Sequence, residues 1–451
     1  MKRNALAVMA VSVLLLAVPV SNARDKSDVV KKGYNLGPLP AIAYDADKGV
    51  QIGAVLQLFN YGDGSEYPAY NSKAYVEYSY FTKGSHLIQL RYDNRTLIPG
   101  IRWSSTVRAS IDKARDFYGF NGYASSFDIN LPSAFYRCRR NDVLVKSDFL
   151  GVILPHFRWE AGIFFNYFGI KDIDIDNLNR GKAEEKQFHG DRTLYSIYRD
   201  AGILGVNEAG GGYAGGIRAG LEYDTRDKEG APSRGIWAEG HVSAALPGLS
   251  SVQHYRYSLT FRHYVPIVSD DVLTFAYRLN YEGTFGKNAP YYSLSYMTAM
   301  GERCDFEGMG GYQTVRGIMR SRVVGLDMAT YNAEFRWRFY RFNLWKQNFA
   351  LAFNLFSDGT MVTRNVDLSA LPQSADVRDT RTGDITTVQL KSDRTADRPH
   401  ITFGAGLRLI MNENFIIAAE YGMPVSRLLK NSPIRNQDGT GAFYFNVGYL
   451  F

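Results

Sequence analysis

Long stretches of the chain alternate strictly between apolar and polar residues, and the polar side of the alternation carries charge. In DVLTFAYRLNYEG, Leu273, Phe275, Tyr277, Leu279 and Tyr281 share one face, and Thr274, Ala276, Arg278, Asn280 and Glu282 share the other. A period of two belongs to a strand. YRYSLTFRHYV repeats the split, with Tyr255, Tyr257, Leu259 and Phe261 opposing Arg256, Ser258, Thr260 and Arg262. FRWEAGIFFNYF, IRAGLEYD, GIWAEGHVSAA and HITFGAGLRLIM do the same. A face of arginine, glutamate and glycine does not suit the dry core of a β-sandwich. It suits a wet lumen, with the aromatic face turned to lipid. Past the leader, no stretch approaches the roughly 18 consecutive apolar residues of a helical span. The expected fold is therefore all-β, a transmembrane antiparallel β-barrel of about 16 strands, with about 14 as the alternative count.

The first residues address the chain for export. Lys2 and Arg3 precede an apolar run from Ala5 to Val20, followed by Ser21, Asn22 and Ala23, which is the layout of a secretory signal peptide. Residues 1–23 are read as that signal, 24–39 as a short periplasmic arm, and 40–451 as the barrel. Both ends then lie in the periplasm, with long outward loops near 170–212, 285–328 and 358–398. The 31 Tyr, 27 Phe and 43 Gly among 451 residues suit aromatic girdles around a closely packed wall. A net charge of +7, spread along the chain, gives no footprint for nucleic acid. Export permits a disulfide between Cys138 and Cys304, though two cysteines alone do not establish one.

The stretch GGYQTVRGIMRSRVVG, residues 310–325, sits between two such strands and holds Arg316, Arg320 and Arg322. In the next strand, YNAEFRWRFY, Tyr331, Ala333, Phe335 and Trp337 face lipid, so Glu334 faces the lumen. In NFALAFNLFSDG the same parity turns Asp358 inward. A guanidinium is always charged and binds carboxylates through a two-pronged fork. A loop folded back into the barrel would bring Arg316 to Asp358 first and Glu334 second, with Gly310, Gly311 and Gly317 allowing the tight approach.

These residues carry a resemblance. TVRGI is similar to the V-R-G-F/Y tip of the sixth outward loop in the BamA/TamA superfamily of outer-membrane insertase and translocase barrels. Arg316 and Gly317 match that tip, and Glu334 and Asp358 match the family's inward acidic positions. YDTRDKEGAPSRG, with Tyr223, Asp224, Arg226, Asp227 and Gly235, resembles the family's Y-D-T-R-D periplasmic turn, and DFYGFNGYAS resembles its F-Y-G-x-G-N element. FYFNVGYLF alternates, with Phe443, Phe445, Val447, Tyr449 and Phe451 on one face, and its ending on Tyr449 and Phe451 resembles the C-terminal signal by which bacterial outer-membrane barrels are recognised for insertion. Ile318 departs from the aromatic that follows the glycine. Between Ala23 and Pro40 there is no room for the POTRA modules that insertases carry. The resemblance thus implies a barrel-only member that assists protein assembly or translocation, with outer-membrane lipid around it and a periplasmic or outer-membrane protein as partner. A passive channel and a structural, surface-interaction barrel are the alternatives.

Other chemistry finds little support. Asp172, Asp174 and Asp176 have the start of a calcium-loop spacing, but Asn177 and Ala183 stand where that loop needs Gly and Glu. The glycines of AGGGYAGGIRAG run into a strand without the Lys-Ser/Thr of a phosphate loop. Seven scattered histidines form no metalloprotease pattern. No metal, cofactor or catalytic residue is expected.

Overall fold

The computed structural model describes residues 30–45, 49–268, 271–301, 306–345, 347–413, 415–447 and 451. Sixteen strands form one sheet in chain order, each antiparallel to the next. The first eight are β1 Tyr34–Asp45, β2 Gly49–Asn60, β3 Ser72–Phe81, β4 His86–Ile98, β5 Ile101–Asp116, β6 Arg137–Leu154, β7 Phe157–Lys171 and β8 Gly211–Asp224. The second eight are β9 Gly235–Ser250, β10 His254–Val268, β11 Leu273–Phe285, β12 Asp327–Leu344, β13 Gln347–Arg364, β14 His400–Met411, β15 Phe415–Pro424 and β16 Ala442–Val447. An even count returns the last strand to the side of the first. Among the described residues, β1 and β16 share no pairing.

The alternation read from the sequence is the inside and outside of this wall. In β12, Phe335 and Trp337 are exposed while Asn332, Glu334 and Arg336 are buried. In β10, Tyr255 and Leu259 face out while Arg256, Ser258 and Arg262 are buried. The start of the wall differs from the reading above. β1 begins at Tyr34, inside the segment read as an arm. Pro38 and Pro40 hide it, since proline argues against a central strand, yet an edge strand accepts proline. Residues 1–29, and with them the signal peptide, lie outside the described residues.

At the end of the barrel where β1 begins, the connections are short, except the turns at 61–71 and 225–234. At the other end, those at 117–136, 172–210, 286–326, 365–399 and 425–441 are long. The fourth of these starts late because β13 runs past Asp358 to Arg364. Four of these loops build a cap rather than a solvated fringe. Phe117 meets the rings of Phe120, Tyr195, Tyr198 and Tyr291 edge to face at 5.2 to 6.0 Å. Tyr136, Leu194, Leu326, Leu371 and Leu390 join the same buried cluster. Part of the aromatic richness thus goes into this cap and not into lipid girdles. Cys138 is buried there too, and Cys304, its suggested partner, lies outside the described residues.

Loop 286–326 enters the lumen. Its first half lies against cations on the inner wall. Arg140 of β6 donates to Tyr292 O (3.1 Å) and Ser295 Oγ (2.7 Å), Arg256 of β10 to Ser293 O (2.7 Å), and Lys146 and Arg218 both to Ala299 O (2.7 and 3.0 Å). Inward charges on β6, β8 and β10 therefore satisfy the backbone of a loop that would otherwise bury unpaired carbonyls.

Candidate functional site: a loop latched inside the barrel

The tip of that loop crosses to the opposite wall. Arg316 is fully buried, at 0% exposure. Its Nε and Nη2 donate to the two oxygens of Asp358 at 2.8 and 2.9 Å, and its backbone N–H reaches the same carboxylate at 3.0 Å. Its Nη1 lies 2.6 Å from Glu334 Oε1 and 3.1 Å from Glu420 Oε1. Arg408 of β14 bridges Glu334 (3.0 and 3.1 Å) and Glu420 (2.6 Å), while Arg336 donates to Glu334 at 2.7 Å. Three guanidiniums face three carboxylates, so the cluster is neutral, as buried charge must be to avoid a large desolvation cost. The guanidinium of Arg316 also stacks on Phe356, 3.6 Å from the ring centroid.

Backbone shape sets the approach. Gly317 has φ +94°, and a Cβ there would sit 2.7 Å from the backbone carbon of Gly422 on β15. Gly317 N–H donates to Tyr444 Oη at 2.8 Å, which ties the tip to the last strand. Thr314 closes the turn below it, with Oγ1 accepting from Gly310 N–H at 2.8 Å. Ile318, in place of an aromatic, is itself buried. Parity in the sequence places Asp358 and Glu334 inward. Glu420, Arg408 and Tyr444 join them from strands far along the chain. Their only sequence signal is their inward parity in IIAAEYGMP, GLRLIM and FYFNV.

Phe451 corrects the reading of the C-terminus. It does not continue the lipid-facing row of Phe443 and Phe445 but lies buried against Tyr264 and Ala276 inside the lumen. Arg336 donates to its carbonyl at 3.0 Å and sits 4.7 Å from its ring centroid. Attraction of an aromatic face to two cations, Arg336 and Arg278, overrides the outward alternation. Tyr449 lies outside the described residues.

The turn at 225–234 is not a solvated hairpin either. Asp224 holds Arg226 through a fork (2.9 and 2.9 Å), and Asp227 accepts from Ser233 N–H and Oγ. Gly235, at φ +102°, leaves no room for a side chain, since a Cβ would meet Thr225 O at 2.3 Å. Tyr223 faces out, 41% exposed. So folded, the turn spans the mouth of the barrel opposite the cap. Glu229 pairs with Arg95 and Arg102 on the β4–β5 side (2.5 and 3.0 Å), and Lys228 with Asp271 (2.8 Å). Ala231 packs on Ala350, Ala352, Ile410 and Ile416 of β13 to β15, its carbonyl accepting from Arg338 at 2.9 Å.

An Omp85 superfamily domain matches residues 180–451, more than half of the chain and all of the latch. The chain belongs to the Omp85 superfamily. Among solved structures, BamA from Haemophilus ducreyi lacking POTRA domains 1-3 is similar at 14% identity and a TM-score of 0.50, over 93% of this chain and 70% of that one. CdiB from Escherichia coli is similar at 8% identity and a TM-score of 0.51, over 92% of this chain and 62% of that one. At such identities the likeness lies in the fold alone. A comparison with curated proteins finds no match. As an Omp85 barrel, the chain resides in the outer membrane.

Two further features of this Omp85 barrel were not foreseen. Arg322 fans out to Gln437 O, Gly122 O and Ser125 O (2.8, 2.9 and 3.1 Å), joining the latch loop to two other loops. Arg320 reaches Asp116 at 2.5 Å. Beside them, His400 sits between two carboxylates, Asp438 on Nδ1 (2.5 Å) and Asp397 on Nε2 (3.0 Å). Tyr123 stacks on its ring at 3.7 Å and donates to Asp438. This clasp binds loops 117–136, 365–399 and 425–441 together. Burial pushes both carboxyls up, but the neighbouring His400 and the hydrogen bonds they accept hold Asp397 and Asp438 below the usual carboxylate range. A carboxylate whose folded pKa is depressed lends stability above its unfolded value and loses it as pH falls through the folded one. The clasp should therefore hold at pH 5 and open only as the pH falls below the ordinary aspartate value of about 3.9. Pepsin cleavage within 425–441, followed across that range, checks this, and cleavage already at pH 5 would refute it.

Of the described residues, only Glu160, Glu222 and Glu239 converge closely enough to share a metal ion. Glu222 is taken up by Arg158 and Trp237, and Glu239 by His241. Asp172 pairs with Arg199 and Asp174 caps the helix Ile175–Asn179, so both serve the loop in which they lie.

Proposed function

We propose that this chain assists the insertion or translocation of outer-membrane or surface polypeptides, working with a periplasmic protein partner, through its wall rather than its lumen. The observation that carries the reading is the loop 286–326. It crosses the lumen between inner-wall cations on β6 to β10 and the carboxylates of β12, β13 and β15. A solute path is blocked by the loop, by the aromatic cap and by the turn across the periplasmic mouth, which disfavours a passive channel. The edges of β1 and β16 are the places where the wall can part, and an open edge with unpaired backbone groups templates strands. The BamA and CdiB folds are the same kind of wall.

Depleting the protein should lower the amounts of other barrels or surface proteins in the outer membrane. In purified or cellular protein, cysteines at outward positions of β1 (Leu36 or Ile42) and β16 (Phe443 or Phe445) should on oxidation abolish that support. The same pair at Leu259 and Tyr281, which are register partners on β10 and β11, should leave it intact. Full support from a seam-locked chain, with depletion harmless as well, would turn the reading to a structural, surface-interaction barrel.

A further inference from the structure

A row of cations crosses the lipid face of the wall at its capped end. Arg139 on β6 and Lys171 on β7 are direct register partners, and Lys113 on β5 lies on the other flank of Arg139, in the irregular pairing between Asp112↔Arg140 and Arg115↔Cys138. Parity places all three outside. They continue the exposed rows of Val107 and Ile111, of Val143 and Val145, and of Phe165 and Tyr167, whereas the alternate residues Asp112, Arg140 and Ile170 are buried. Among the described residues, no carboxylate pairs with any of the three. Other charges at this rim are engaged: Arg137 with Asp116, Asp172 with Arg199, and Lys83 with Leu178 O at 3.2 Å. Like charges directly opposite each other on a sheet are destabilising. At the same end of β10, β11 and β12 the lipid-side residues are Tyr255, Tyr281 and Tyr331, so the row is local to β5–β7.

Beneath the row, the register stacks three layers toward the middle of the wall. The first is Ile111, Asn141 and Gly169, the second Ala109, Val143 and Tyr167, and the third Val107, Val145 and Phe165. Asn141 sets an amide directly under the cations. Gly169 leaves a notch beside it, into which Tyr167 turns its hydroxyl, since a Cβ on Gly169 would stand 3.2 Å from Tyr167 Oη. Charge, then amide and hydroxyl, then apolar surface is the order of groups through one lipid leaflet. A free anion has no use for the apolar layers. The three cations span two strand spacings, about 10 Å, which is wider than one phosphate. Two phosphate monoesters carry about −3 to −4 at neutral pH, which matches three cations better than the charge of about −2 on two diesters.

We propose that Lys113, Arg139 and Lys171 seat the headgroup of a glycolipid phosphorylated at two sugar positions, with its acyl chains on Val143, Val145 and Phe165. Its leaflet follows from the topology read in the sequence, which turns both chain ends to the periplasm and the capped end outward. Arg139 forks onto one phosphate, and the two lysines act as point charges on either side. Asn141 and the hydroxyl of Tyr167 meet the sugar. The headgroup relieves the opposition of Arg139 and Lys171 and joins β5, β6 and β7 at the footing of loops 117–136 and 172–210.

The test titrates the purified full chain, in dodecyl maltoside micelles at low salt, with diphosphoryl lipid A and counts retained lipid by native mass spectrometry. Cardiolipin and phosphatidylglycerol serve as comparison lipids and should bind roughly tenfold or more weakly. Each cation at a membrane surface contributes about fivefold in affinity. Lys113→Gln, Arg139→Gln and Lys171→Gln together should therefore weaken lipid A binding on the order of a hundredfold. Removing the same charge elsewhere, by Lys32→Gln, Arg234→Gln and Lys430→Gln, should leave it within about twofold. Without lipid, the triple variant should melt no lower than the unmodified chain, because like charges no longer oppose each other. If the triple variant does not fold, Arg139→Gln alone decides, with an expected loss of about fivefold. Unchanged binding in the variant, an equal loss in the charge control, or equal affinity for cardiolipin overturns the proposal. Displacement of the lipid by an excess of inorganic phosphate overturns it too, since the row would then be a site for the free anion.

Discussion

Arg316→Ala frees the tip of loop 286–326 while the wall stays folded. Among the described residues, the guanidinium joins Asp358, Glu334 and Glu420, and it is fully buried. Removing one member of such a network leaves the rest uncompensated, at about 3 to 5 kcal/mol. Asp358 bears most of this, since Arg408 and Arg336 remain for the two glutamates. External proteolysis within residues 306–326 should rise sharply, with little change in the thermal unfolding of the barrel. Arg316→Lys should fall between, because an ammonium keeps the charge but cannot reproduce the fork on Asp358. Unchanged proteolysis in both variants would show that the tip is held by other contacts.

Glu334→Ala should be worse than Asp358→Ala, and worse in a different way. Glu334 serves Arg316, Arg336 and Arg408 at once, whereas Asp358 serves Arg316. Loss of Glu334 leaves three guanidiniums facing two carboxylates in a buried site, with Arg278 hydrogen-bonded to the neighbouring Asn332. It also cuts the tie between β12 and β14, which Arg408 makes across the width of β13. We expect a loss at the upper end of about 3 to 5 kcal/mol, seen as a lower unfolding temperature of the wall itself in addition to loop release. Glu334→Gln should recover part of it by keeping hydrogen-bond acceptance. An Asp358→Ala barrel that melts earlier than Glu334→Ala would contradict the assignment of Glu334 as the hub.

The wall was legible because its chemistry is local. Inward and outward residues differ by one position, so Glu334 beside Phe335 and Asp358 beside Ser357 and Gly359 are placed by counting. What was not legible depends on distance across the barrel. Glu420 meets Arg316 from 104 residues away, and no short-range pattern reports such a meeting. Arg320, Arg322 and His400 were passed over because loops have no period, although each proves to be a tie between loops. Two local rules misled. Alternation sent Phe451 outward where cations draw it in. Proline at 38 and 40 delayed the start of β1, where an edge strand accepts it. The aromatic count spoke for lipid girdles, whereas Phe117, Tyr198 and Tyr291 are spent on the cap.

A loop that lies inside a wall must be there before the wall is shut. The tip of loop 286–326 touches β15 through Glu420 and β16 through Tyr444, so its last contacts wait for the end of the chain to be made. Passing that loop through the capped mouth of a finished barrel would mean opening the cap, to which its own Tyr291 and Leu326 belong. The order of events is thereby constrained. A sheet growing around the loop would neutralise its charges pair by pair, with the terminal strands approaching last. Long-range contacts of this kind slow folding. They also time it, since the seam is the last part of the molecule to acquire a shape and the first from which it can be taken away.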